Sequence, residues 1–192
     1  SAYRQAIDWS RVHLFFADER FVPHTDPEST ARLVQETLLA GAPVPVEQVY
    51  PMPTAGGSPE ACAGAYAATL AACLGAPAPV LDLALLGMGP DGHTASLFPG
   101  RPDYPGLVAA VHDSPKPPPV RLTLTLAMLN RARHSLFLVT GADKADALRA
   151  AFSARPDDPA ALPAGRVITA NGRSDWLIDR AAGAGLADPA AS

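Results

Sequence analysis

Two cysteines are all the chain has, Cys62 and Cys73. Both fall in a stretch that reads as one helix, and at about 1.5 Å per residue they lie too far apart to pair. A disulfide framework is therefore excluded, and both are expected to be reduced packing residues. No apolar run approaches the roughly 20 residues a membrane span requires, and the opening SAYRQAIDW lacks the apolar core of a secretory signal, so a cytoplasmic protein is expected. Positive charge is also scarce: the net charge is -4, which argues against general affinity for nucleic acid or an anionic membrane. An anionic metabolite would need a local cluster of cations. There is no internal repeat, low-complexity tract or interdomain linker. What remains is an ordinary globular composition, 48% hydrophobic and 18% charged over 192 residues, enough for one domain with a full core.

Short apolar runs alternate with amphipathic segments. Val12-His-Leu-Phe-Phe-Ala17 reads as a buried strand ending in Asp18-Glu-Arg20, polar residues that would emerge at its carboxyl end. Asp26-Pro-Glu predicts a helix N-terminus, with a stop at Gly41, and Ser58-Pro-Glu predicts a second helix ending at Gly75. Leu81-Asp-Leu-Ala-Leu-Leu86 and Leu136-Phe-Leu-Val-Thr140 read as buried strands. A helix is expected after the latter, from about Ala142 to Phe152, then a strand over Arg166-Val-Ile-Thr169 and a last helix from Trp176 to Ala182. Ser114-Pro-Lys-Pro-Pro-Pro119 reads as extended polyproline. Strict alternation then follows in Arg121-Leu-Thr-Leu-Thr-Leu126, which puts Arg121, Thr123 and Thr125 on one face. The order predicts an α/β fold with a mainly parallel, Rossmann-like sheet in a three-layer α/β/α sandwich, with ligands gathering at the carboxyl ends of the strands.

The segment Gly87-Met-Gly-Pro-Asp-Gly-His93 follows one such strand. Gly87, Gly89 and Gly92 satisfy G-x-G-x-x-G, and Asp113 lies about twenty residues on, as in dinucleotide sites. The context is wrong, because Pro99, Pro102 and Pro105 leave no room for the crossover helix that motif needs. The Gly-Lys-Ser/Thr ending of a nucleotide P-loop and the G-x-S-x-G elbow of a serine hydrolase are both absent. The loop does deliver Asp91 and His93 two residues apart. Histidine is the side chain suited to proton transfer near neutral pH, and a neighbouring carboxylate can orient its ring. The same residues would also suit a turn with a surface acid and a capping histidine.

For an anionic substrate three cations stand out: Arg20 at a strand end, Arg121 on the threonine face, and Lys144 in the first turn of a helix, where the macrodipole disfavours a cation unless an anion is bound. Each has a plainer alternative, namely pairing with Asp18 or Glu19, a solvated strand end, and pairing with Asp143. Asp18 and Glu19 are candidate acceptors for sugar hydroxyls or simple holders of Arg20. His13, His24, His112 and His134 show no metal-ligand spacing and read as structural or surface residues. Asp91 and His93 alone do not make a closed metal site.

Leu85-Leu-Gly-Met-Gly-Pro-Asp-Gly-His-Thr-Ala-Ser-Leu-Phe-Pro-Gly100 closely resembles the signature of 6-phosphogluconolactonases. In the same order come Asp8-Trp, Phe16-Ala-Asp-Glu-Arg20, Lys116-Pro-Pro-Pro-Val-Arg-Leu-Thr123, Thr140-Gly-Ala-Asp-Lys144 and Trp176-Leu-Ile-Asp, so the resemblance covers almost the whole chain. It implies hydrolysis of 6-phospho-D-glucono-1,5-lactone to 6-phosphogluconate in the oxidative pentose phosphate pathway, by a monomer without an obligatory metal or organic cofactor. His93 would be the general base and Asp91 its positioner. Asp18, Arg20, Arg121 and Lys144 would hold the substrate, and the N–H groups of Gly87, Gly89 and Gly92 are candidates to stabilise an oxyanion. Amino-sugar-phosphate isomerases share an Asp-Gly-His loop, but theirs continues Ile-Ala-Phe-Asn-Glu-Pro where this chain has Thr94-Ala-Ser-Leu-Phe-Pro99. A non-enzymatic sugar-phosphate sensor is the other alternative. The family usually has Ser-Asn where this chain has Ser29-Thr30. It also usually begins with a further strand, helix and strand carrying a Gly-Gly-Ser/Thr-Pro loop, so residues 1–192 are expected to be a single lactonase domain, N-terminally incomplete.

Overall fold

The computed structural model describes residues 4, 6–155, 157–169 and 173–186. Among these residues eight strands fall into three small sheets. Strand β1 (Leu14–Phe15) pairs in parallel with β3 (Val49–Tyr50). Strands β4 (Ala84–Gly87), β7 (Ser135–Val139) and β8 (Ser174–Ile178) form a parallel sheet in that order. Strands β2 (Asp18–Arg20), β6 (Arg121–Leu124) and β5 (Val108–Val111) form an antiparallel one. The helices are α1 (Thr30–Val34), continued by a π-helical stretch Gln35–Leu39, then α2 (Pro59–Leu74), α3 (Leu126–Leu129) and α4 (Ala145–Ser153). The expected α/β fold with mainly parallel strands is what the chain forms. Among the described residues no helix is long and apolar enough to cross a membrane.

Helix α2 begins and ends where the sequence predicts: Ser58 caps it by accepting from the Ala61 N–H, Pro59 occupies the first turn, and Gly75 ends it at φ +95°. Its Tyr66 is buried and fastens three segments. The Tyr66 hydroxyl accepts from the Phe16 N–H at 2.7 Å and meets the Tyr50 carbonyl oxygen at 3.0 Å. Burial raises the Tyr66 phenol well above its ordinary value, so it stays a neutral partner. Cys62 on this helix is buried, but Cys73 is exposed, so the packing role expected of both holds only for Cys62.

Four sequence expectations are corrected. The strand at Val12 shrinks to Leu14–Phe15, and Asp18–Arg20 is a separate strand that leaves the parallel layer for the antiparallel one. Helix α1 starts at Thr30 with Ser29 as its cap; Asp26 instead accepts from the Glu28 N–H in a local turn. The predicted strand over Arg166 to Thr169 does not form. Residues Pro163–Arg166 make a 3-10 turn, and Asn130 takes the place of a partner strand, its amide donating to the Arg166 carbonyl and its oxygen accepting from the Ile168 N–H. The predicted last helix is strand β8, in which Trp176 lies opposite Phe137 with their rings stacked at 3.9 Å.

The apolar run before the glycine loop reads as buried on both faces, yet only one is covered. Ala84, Leu86, Phe137 and Val139 point into the core, whereas Leu85, Leu138 and Leu177 are exposed on the other face.

Candidate active site

Strand β4 ends at Gly87, and the chain turns back on itself at once. The Gly92 N–H donates to the Gly89 carbonyl and the Gly89 N–H to the His93 carbonyl, both at 2.9 Å. Gly89 must be glycine: a Cβ there would lie 2.0 Å from the His93 ring. Gly92 has φ +81°, and its Cβ would run into Leu162. For Gly89 and Gly92 these contacts correct the expectation that their amides hold a substrate anion or oxyanion. The Gly89 and Gly92 N–H groups are used inside the loop, and Gly87 is a strand residue whose carbonyl accepts from the Thr94 hydroxyl. The glycines shape the loop.

The loop brings Asp91 Oδ1 within 2.5 Å of His93 Nδ1. Partial burial pushes the Asp91 carboxyl up, but the hydrogen bond and charge of His93 outweigh it and leave it below its ordinary value. With Nδ1 engaged, Nε2 is the ring nitrogen free to accept a proton. The imidazole lies tilted against the Phe98 ring, with centroids 5.0 Å apart and 39° between the planes. The Arg121 guanidinium lies 5.9 Å from the centre of the same Phe98 ring. Phe98 thus neighbours both the base and a cation, a placement nothing in the sequence signalled.

The cations come from the antiparallel sheet. Its register sets Arg20 opposite Arg121 and Asp18 opposite Thr123, so all four side chains lie on one face. Arg121 is buried and donates only to carbonyls of the proline-rich segment: Nε to Pro118, Nη2 to Lys116 and Pro117. The solvated strand end considered for it is therefore ruled out. Burial first, and the charge of Arg20 second, lower its pKa. Arg20 has one weak contact, Nη1 to the Thr30 hydroxyl at 3.4 Å, and its buried Nε has no partner among the described residues. The pairing with Asp18 or Glu19 considered from sequence is not made.

Glu19 is neither a sugar ligand nor a counter-ion. It points to the other face, is fully buried, and accepts from the N–H groups of Arg20, Thr30 and Ala31, each at 2.7 Å, and from the Ser29 hydroxyl at 3.0 Å. A carboxylate at a helix N-terminus satisfies donors that have no partner within the helix. It thereby fixes α1 beside β2 and delivers Thr30 to Arg20. Asp18 on the site face accepts from the Ser96 hydroxyl through Oδ2 at 2.7 Å. Burial raises its pKa, against the opposing pull of that bond and of the two arginines.

Lys144 is not joined to this group by any described contact. Its Nζ pairs with Asp143 at 2.5 Å, so the conflict at that helix start is settled within the chain, and the carboxyl of Asp143 is lowered chiefly by that bond. The remaining histidines have ordinary partners: Tyr50 for His13, the Met52 carbonyl for His24, Glu60 for His112 and Asp175 for His134. Among the described residues no cluster of three metal-ligating side chains exists. A cavity of about 450 Å³ beside α1, lined by Phe16, His24, Arg32 and Val49 among others, includes none of the site residues.

Fold and site together define a class. Residues 1–176 match the family described as glucosamine-6-phosphate isomerases/6-phosphogluconolactonase, and the chain belongs to it. Within that family the chain is similar to a 6-phosphogluconolactonase of Mycobacterium tuberculosis, 46% identical over 97% of this chain and 78% of the relative. The solved structure of 6-phosphogluconolactonase from Thermotoga maritima superposes with a TM-score of 0.77 at 33% identity, covering 90% of this chain and 74% of that one. A monomeric glucosamine-6-phosphate deaminase also superposes, with a TM-score of 0.77 over 95% of this chain and 78% of that one, but at 18% identity this shows the shared fold alone.

Proposed function

We propose that the chain hydrolyses 6-phospho-D-glucono-1,5-lactone to 6-phospho-D-gluconate, the lactone-opening step of the oxidative pentose phosphate pathway, with His93 as general base. The observation that carries the mechanism is the His93 ring, tied to Asp91 through Nδ1 and lying against the phenylalanine that also neighbours Arg121. In this reading His93 Nε2 takes a proton from water as its oxygen attacks the lactone carbonyl carbon. The tetrahedral adduct then breaks its bond to the ring oxygen, which receives the proton held by His93, and the new carboxylic acid ionises to solvent. Asp91, kept ionised, holds the ring and stabilises the imidazolium that forms between the two proton transfers. Arg20 and Arg121, neither of them paired with a carboxylate among the described residues, receive the phosphate. Asp18 has one oxygen committed to Ser96 and offers the other to a sugar hydroxyl. Lys144, paired with Asp143, is given no role. The same reading has a cytoplasmic monomer acting on a diffusible phosphosugar lactone without a metal or organic cofactor.

The test is His93→Ala assayed for lactone opening. Loss of a general base lowers kcat by about 10²- to 10⁴-fold. A variant retaining wild-type kcat would remove His93 from the mechanism. Glucosamine 6-phosphate serves as the control substrate and should not be turned over.

A further inference from the structure

Nothing in the sequence singles out Ser96, three residues beyond the base, but the structure puts it at a junction. It is completely buried. Its N–H donates to Thr123 Oγ1 at 3.1 Å and its hydroxyl to Asp18 Oδ2 at 2.7 Å. Those two acceptors face each other across β2 and β6, and the next same-face pair along that ladder is Arg20 with Arg121. The Thr123 hydroxyl proton is already committed to the Leu124 carbonyl at 3.0 Å, which leaves a lone pair for the Ser96 amide. On the other side of the loop, Thr94 is bonded to the Gly87 carbonyl of β4 at 2.8 Å. Between them Ala95 adopts φ +48°, a left-handed conformation uncommon for a residue with a Cβ, and it lets Thr94 and Ser96 reach opposite sheets.

Strands β4 and β2 belong to different sheets, with no ladder joining them. His93 is placed by β4 and its glycine loop, the arginine pair by β2 and β6. We propose that Ser96 is a positioning residue of the hydrolysis: it docks the base-bearing loop onto the strand pair that carries the arginines, and so sets where His93 stands relative to a phosphosugar held there. This rests on the lactonase reading above. Ser96 touches no reacting atom. Its effect runs through the place of the His93 ring; Asp18 keeps its other oxygen for the sugar whether or not Oδ2 is bonded.

Because the arginines remain on their strands, disrupting the dock moves the base and not the phosphate grip. A displacement on the order of 1 Å from the reacting geometry costs about 100-fold in rate. In the full chain, Ser96→Ala should lower kcat for 6-phosphogluconolactone opening by about 10- to 100-fold while KM changes less than about threefold. Thr123→Val, which removes the acceptor of the Ser96 amide, should give the same split, and Thr123→Ser, which restores it, should recover most of the lost kcat. Thermal denaturation of each variant sets the folded fraction to which kcat is referred. A Ser96→Ala kcat within about twofold of wild type, or one lost only in proportion to the folded fraction, would overturn the proposal. Activity abolished by His93→Ala but kept by Ser96→Ala would overturn this inference alone, whereas wild-type protein unable to open the lactone would overturn both readings.

Discussion

Replacing Arg20 by Gln should separate substrate binding from stability. In the free protein the Arg20 guanidinium has no carboxylate partner among the described residues, a buried Nε without an acceptor and a single 3.4 Å contact to Thr30. What is lost with it is that contact and its attraction for the buried Asp18 carboxylate. Across the ladder stands Arg121, and a like-charged cross-strand pair is destabilising by roughly 0.2–1 kcal/mol. These opposed charge effects should leave the free Arg20→Gln protein within about 1 kcal/mol of wild type. The bound state behaves differently. A hydrogen bond to a charged group contributes about 1.5–3 kcal/mol, and at about 1.4 kcal/mol per tenfold its loss raises KM for the phosphorylated lactone by about 10- to 100-fold. Steady-state kinetics and chemical denaturation of the same preparations give both quantities. An unchanged KM would refute the assignment of the arginine pair to the phosphate. A free-state loss of more than about 2 kcal/mol would show that Arg20 is a structural residue after all.

Two further predictions address the loop and the pH response. Gly89→Ala places a Cβ 2.0 Å from the His93 ring atoms, so the ring must leave Asp91; the protein should fold but lose about 100-fold or more in kcat, and a near-normal kcat would mean the His93–Asp91 contact is dispensable. The pKa of Asp18 lies above the ordinary 3.8 through burial, so its ionised form costs stability at neutral pH, and that cost fades as the pH falls through the raised value. Asp18→Asn should therefore unfold at higher denaturant than wild type at neutral pH, with the gap closing toward acid, while activity falls. A gap that widens on acidification would reverse the sign and the reasoning.

The glycine loop and its acid–base pair were legible because their contacts lie within seven residues: the bonds among Gly89, Asp91, Gly92 and His93 are local, and residue types at fixed spacing encode them. Helix α2 was legible for the same reason, with Ser58, Pro59 and Gly75 marking its ends. The misreadings share the opposite property. Whether Trp176 belongs to a helix or a strand depends on Phe137, 39 positions away, which supplies the stacking surface. Whether the residues after Arg166 form a strand depends on Asn130, which satisfies that backbone in place of a neighbour. Arg121 drew attention as a cation, but its burial beneath three proline-segment carbonyls could not be read from alternation. The roles of Ser96 and Phe98 are not legible in the sequence, because their partners, Asp18, Thr123 and Arg121, lie on β2 and β6.

The tripeptide Asp18-Glu-Arg20 divides its labour by parity. Its outer members face the arginine pair and the loop, and its middle member faces the start of α1. A single inserted or deleted residue in β2 would exchange the two sides, turning a carboxylate toward Arg121 and forcing a cation against the helix N-terminus. A substitution at one of these positions acts on one side of the strand, on the chemistry or on the helix start, whereas a change of length within the strand would damage both in one step.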